Sequence, residues 1–275
     1  MMLSNYSFIK KAPSLLILIG LLIFGFSNLC FAEQKIVKTT GSCAIVGMTP
    51  DQASYLAKQR ARSAAIEKAA GVSVSSSTLV TNGKVAANFI KSFSYGFIIA
   101  EKVKWLPISQ HQVADNPPIP VYGVELTSTV ITNPKKTHLG LKAKLNKSVF
   151  KYGEKSFITV SSRKRAEVAI FNITADNKVI MLFPQDYDSK NVISQSATLL
   201  FPRPESGMEL TMVTMDGHKH DAEGFMIAAM HTNEQISWLD CFIPNEQYDF
   251  CSFFKKYSKV AHLSEDKVLP YEVYF

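Results

Sequence analysis

Asp216, His218, His220, Asp221 and Glu223 form the densest group of side chains in this chain with types suited to chemistry. On a strand, His218 and His220 would share a face and could hold a divalent metal beside a carboxylate. The group follows Asp216-Gly217, however, and that pair marks a hairpin turn whose polar side chains are there for solvation. No metal site is assigned. Asp186 and Asp188, just after Phe183-Pro184, read as solvated loop carboxylates. Ser-x-x-Lys occurs at Ser148/Lys151, Ser161/Lys164 and Ser252/Lys255. The Ser-Asp-Asn and Lys-Thr-Gly elements of an acyl-transfer site are missing, so all three read as chance. The chain also lacks Gly-x-Ser-x-Gly, His-Glu-x-x-His, a phosphate-binding Walker loop and Cys-x-x-Cys. No catalytic, cofactor-binding or metal position is therefore assigned, and the expectation is a protein that is not an enzyme.

The N-terminus sets the compartment. Lys10 and Lys11 precede an apolar run from Leu15 to Phe26, and Cys30-Phe31-Ala32 ends in a small residue before Glu33. A basic start, a short apolar centre and a small-residue site describe a secretory signal peptide over residues 1–32, cleaved after Ala32. The run is short for a membrane span, so cleavage is preferred to a retained N-terminal anchor. The expected location is the periplasm. The chain has a formal charge of +7, or about +5 without Lys10 and Lys11. Its basic residues are scattered, with no run interleaved with aromatics, which argues against nucleic acid as a partner. Export permits disulfides. Cys241 and Cys251 bracket a short polar segment and are the expected pair; Cys43, in the apolar run Cys43-Ala44-Ile45-Val46, reads as a buried free thiol.

With 275 residues, two domains after the leader are expected, 33–136 and 137–275. In the first, a β-rich stretch from Gln34 to Gly47 leads to Thr49-Pro50-Asp51-Gln52. Thr49 suits the N-cap, Pro50 the first helical position and Gln52 the capping box. The helix should run to about Ala70, with Gly71 as its left-handed terminator. Ala53, Leu56, Ala57, Ala61 and Ala64 form its apolar stripe, Lys58 and Arg62 point into solvent, and Arg60 lies along the sheet rim. Val72 to Thr81 reads as a serine-rich strand, Val85 to Lys91 as a second helix, and Tyr95 to Ile108 as a long strand. A Pro-rich loop, Asp115 to Pro120, leads to an antiparallel neighbour from Val121 to Ile131. Two helices on one face of a mostly antiparallel sheet are expected.

Beyond the polar linker Thr132 to Thr137 the pattern is strand and turn. Ala166 to Thr174 is apolar on both faces and should be central. Asp176-Asn177 turns it into Val179 to Pro184. Shorter strands, a helix near Phe250 to Tyr257 and a closing strand from Val268 to Phe275 complete a β-sandwich-like domain. The overall class is α+β.

Two resemblances add to this reading. Ala57, Arg60, Ala61, Arg62, Ala64, Ala65, Ala69, Gly71, Val72 and Val74, followed by Ser77, Thr78, Val80, Asn82, Gly83, Ser94 and Gly96, resemble the N-terminal domain of the flagellar assembly protein T family. A related group of outer-membrane lipoproteins has the same pattern. That resemblance implies a periplasmic, non-enzymatic part of an envelope apparatus. Ala166 to Ile173, Asp176 to Val179 and Leu182 to Pro184 resemble an uncharacterised bacterial domain at the C-termini of modular exported proteins, which implies an accessory module.

The resulting expectation is an exported accessory or scaffold protein. It would bind envelope proteins, flagellar or other surface-apparatus components among them, with peripheral association at the outer membrane. The exposed serines Ser73 to Ser77 and the Pro117 to Pro120 loop are the expected surfaces. The alternatives are a small-ligand or cell-wall glycan-binding module using Trp238, Tyr248 or Phe253, and a metal-dependent hydrolase using His218 and His220.

Overall fold

Thr49 to Gln52 start a helix because every signal there agrees. Thr49 Oγ1 accepts from Gln52 N, Gln52 Oε1 accepts from Thr49 N, and Pro50 fills a position whose N–H would have no helical partner. In the computed structural model this helix, α1, spans Pro50–Ala70 and closes at Gly71 in the left-handed conformation (φ 70°). The structure describes residues 33–72, 88–89, 92–112, 117–132, 137–186 and 188–275. The leader, most of the serine-rich strand from Val72, and parts of the second helix, the Pro-rich loop and the linker lie outside them. Asn88 and Phe89, within the expected second helix, are helical.

Helix α1 lies on a sheet of β1 (Glu33–Ala44), β2 (Gly96–Trp105), β3 (Ser109–His111) and β4 (Ile119–Thr132). β4 is central, antiparallel to β1 on one side and to β2 and β3 on the other. The alternation of β1 puts Gln34, Ile36, Lys38, Thr40 and Ser42 in solvent on the face away from the helix. On the helix face, the approach is so close that a Cβ on Gly41 would lie 2.1 Å from Ala57 O and 2.6 Å from Ala61 N. Alanines make that contact possible, and the buried ones are Ala53, Ala57, Ala61, Ala65 and Ala69, four residues apart. The expected Ala64 is only half-buried. The i, i+4 ridge, not an i, i+3 step, meets the sheet.

The second sheet has the order β15-β10-β9-β14-β16-β6, with β11 beside β9. Its strands are β6 (Val149–Lys151), β9 (Ala166–Ile173), β10 (Lys178–Phe183), β11 (Val192–Ile193), β14 (His220–His231), β15 (Gln247–Asp249) and β16 (Ser264–Tyr274). β9 is interior, as its two apolar faces require. Val168 and Ile170 join one core, and Ala169, Phe171 and Ile173 another. Asn177, left-handed at φ 67°, turns β9 into β10.

On the first face packs a small antiparallel sheet, β12-β8-β5, made of β5 (Lys142–Leu145), β8 (Ile158–Ser161) and β12 (Thr198–Phe201), which contributes Leu145, Ile158, Val160, Leu199 and Phe201. A two-stranded piece, β7 (Lys155–Ser156) with β13 (Leu210–Thr211), lies beside it in sequence. On the other face, α2 (Phe250–Tyr257) inserts Phe250, Phe253, Phe254 and Tyr257. Phe171 meets Phe242 and Phe253 edge-on at 5.1 and 5.0 Å between centroids. Pairs of this kind contribute about 0.5–1.5 kcal/mol each beyond area burial. This core also takes Ile66, Phe89, Phe93, Phe97 and Val130, so segments 33–136 and 137–275 share buried side chains. The fold is mostly β with few helices, consistent with the α+β class.

Candidate functional site

The polar group at 216–223 straddles the start of β14. His218 N donates to Met215 O at 2.9 Å, closing the Asp216-Gly217 turn. Asp221 ties that turn down, with Oδ2 accepting from Met215 N at 2.7 Å and Oδ1 lying 2.6 Å from His218 Nδ1. His220 looks elsewhere. Its Nε2 is 3.0 Å from Glu272 Oε2 on β16, and its ring stacks on Tyr274 at 4.2 Å. The two imidazoles thus serve different carboxylates and do not converge, because His218 precedes the strand whose alternation would have aligned them. Among the described residues no group of three or more His, Cys, Asp and Glu side chains is placed to hold a metal.

Asp221 and Glu223 point to the opposite face of β14 from His220. Glu223 sits at the floor of a cleft of about 380 Å³ whose walls include Asn172, Thr174, Leu182, Met212 and Tyr271. Burial raises its pKa, opposed by hydrogen bonds from Tyr271, Asn172 and the Ala175 N–H and reinforced by Asp221. A carboxyl shifted upward in a cleft is what general acid–base chemistry uses. Here, however, Oε2 accepts from Tyr271 Oη at 2.5 Å and from Asn172 Nδ2 at 3.1 Å, and Oε1 accepts from Ala175 N at 3.2 Å. These bonds fasten β9, its hairpin and β16 to β14. The carboxylate thereby ties three elements together.

Arg62 departs most from expectation. It is 3% exposed, not solvated, and donates through Nε and Nη2 to the two oxygens of Glu101 at 2.8 and 2.7 Å. Its guanidinium lies 4.2 Å from the Phe250 ring centroid, and its Nη1 is buried without a hydrogen-bond partner among the described residues. Lys58 joins at 3.4 Å. Burial works to raise the pKa of Glu101, but the hydrogen bonds and charge of Arg62, with help from Lys58, hold it below its ordinary value. The apolar face of α2 covers what the sequence leaves open to water. Arg60, as expected, reaches along the rim to Ser42 O.

Other singled-out residues also move. Asp188 is buried, not a solvated loop carboxylate, because Arg203 Nη1 donates to it at 2.8 Å; Asp186 is exposed. Trp238, Tyr248 and Phe253 are buried in the core and form no open aromatic pocket. Cys241 and Cys251 are free, against the expected pairing. Cys251 lies on α2 against Glu101, and burial pushes its thiol up to about 12. Cys43 is a buried free thiol, as expected, with its pKa raised by burial. The three Ser-x-x-Lys pairs fall on separate elements.

The surface feature that the sequence reading missed lies at one end of the first sheet. Val46, Trp105, Leu106 and Ile108 are exposed there, Trp105 at 48% and Ile108 at 58%. β4 binds them together. Pro120 O accepts from Ile45 N, Gly123 O accepts from Leu106 N, and Tyr122 meets Trp105 edge-on at 6.3 Å. Pro117 and Pro118 are exposed beside it. The signal was present as apolar residues on both sides of Pro107, past the last alternating position of β2.

A family model described as "Domain of unknown function (DUF4384)" matches residues 149–220, from β6 to the first residue of β14. The match contains β9, its hairpin and β10. No curated protein matches the chain.

Proposed function

We propose that this chain is an exported, non-enzymatic accessory or scaffold protein that binds other cell-envelope components, in the assembly of a flagellar or other surface apparatus. The observation that carries this reading is the exposed end of the first sheet. Trp105, Leu106, Ile108 and Val46 leave aromatic and aliphatic surface in water next to two exposed prolines. Exposed apolar side chains gathered at one end of a sheet fit an interaction site, and tryptophan is enriched among residues that dominate binding energy. The buried ionisable groups support the same reading, since Arg62, Asp188, Asp221 and Glu223 are each bound to partners that hold elements together. Export rests on Lys10, Lys11, the apolar run and Ala32, and the flagellar connection on the sequence pattern from Ala57 to Gly96.

Deleting the gene tests the reading. Assembly of an envelope machine should fail, and the protein should co-purify with that machine in a complemented strain. An intact apparatus in the deletion strain would count against it.

A further inference from the structure

The groove beneath the small sheet has a different chemistry. Glu265 Oε2 accepts three consecutive backbone N–H groups, from Leu139 at 2.7 Å, Gly140 at 2.8 Å and Leu141 at 3.2 Å. Successive amides converging on one oxygen form an anion-binding nest. Gly140 makes the nest possible: its φ is +69°, and a Cβ there would lie 2.7 Å from the Arg163 side chain laid across it. Arg163 N donates to Leu139 O at 3.0 Å, as does Ser162 Oγ, so the wall opposite is fixed as well.

In front of the nest is a groove of about 460 Å³ lined by His138, Lys142, Arg163, Lys164 and Glu265. That volume lies within the ~300–1,000 Å³ range of small-ligand sites. Lys142, Arg163 and Lys164 are exposed, and among the described residues none has a side-chain ion pair or hydrogen bond. The one carboxylate in the lining is turned into the nest, with Lys267 at 3.9 Å from its other oxygen. Three cations on a pinned frame therefore face the groove with one committed countercharge. The pairing of Lys142 with Ser161 across β5 and β8 brings Lys142 to the groove that Arg163 also lines.

We propose that this groove binds a phosphate group, with the Arg163 fork and the Lys142 and Lys164 ammoniums as donors. Arginine matches phosphate oxygens in two parallel hydrogen bonds, and lysine adds mobile point charge. The proposal is independent of the apolar end of the first sheet. Two sources share this chemistry: a soluble phosphate and the headgroup of an anionic phospholipid.

The test uses the full chain, the variant K142Q/R163Q/K164Q, and the charge-matched control K38Q/K102Q/K104Q on the first sheet. Titration calorimetry with inorganic phosphate reads one source. Co-sedimentation with phosphatidylglycerol vesicles, against phosphatidylcholine vesicles, reads the other. Unchanged circular dichroism and melting temperature confirm that the variants fold. Binding in either arm that weakens by about tenfold or more in the groove variant, and stays near wild type in the control, supports the site and names its source. No binding in either arm, or equal loss in both variants, overturns it.

Discussion

Glu101 accepts two parallel hydrogen bonds from Arg62, and both side chains are almost wholly out of water. Removing one partner of such a pair leaves an uncompensated buried charge, whereas replacing both with apolar groups is often neutral. Arg62→Ala should therefore cost about 3–5 kcal/mol in urea unfolding, and Arg62→Met with Glu101→Leu should recover most of it. Equal losses in the single and double variants would show that packing around Phe250 dominates. Glu223 tests the other sign. Its folded pKa lies above the unfolded value, so the folded state holds the proton more tightly. Stability is then highest below the unfolded carboxyl value and declines as pH rises through the folded value. Thermal melts across that window should show the decline in the wild type and a flatter profile in Glu223→Gln. The amide keeps an acceptor for Tyr271 but has no charge to bury.

Among elements, α1 was the most legible in the sequence. Thr49, Pro50, Gln52 and Gly71 act within one turn of the helix ends, so local residue types alone set its bounds. β9 was legible for a related reason, as apolar residues on both faces leave no side for water. The α2 helix, Phe250–Tyr257, was found as well. What the sequence did not reveal depends on distant partners. Arg62 owes its burial to Glu101 and to Phe250, which arrives with α2 from the other end of the chain. Asp188 is buried by Arg203 across a loop, and Lys142 comes to line the same groove as Arg163 only once β5 pairs with β8. Cys241 and Cys251 are close in sequence, yet Cys251 faces Glu101. At this scale Gly41 is the sharpest probe. Gly41→Ala places a methyl against the α1 backbone and should cost about 1–3 kcal/mol, read as a lower urea midpoint. An unchanged midpoint would mean that the helix can lift from β1 without loss.

Across the whole molecule, the seven-stranded sheet has a core on each face, and the aromatic core joins it to the first sheet. Two surfaces result: the apolar end around Trp105 and the cationic groove around Arg163. Under the proposed scaffold role, Trp105 on β2 and the following residues Leu106 and Ile108, tied to β4 through the Leu106 N–H, are the anchors a partner would meet. Substitutions at the apolar end should accordingly affect association and leave folding intact, since these side chains are already in water. The central measurement is quantitative recovery of a surface apparatus from envelope fractions of a deletion strain complemented with wild type or with Trp105→Ser/Ile108→Ser. The account predicts that wild type is recovered with the apparatus at fixed stoichiometry and that the variant, equally abundant and equally stable, is lost from it. Wild type fractionating free of any assembly, or the variant retained at wild-type stoichiometry, would contradict it.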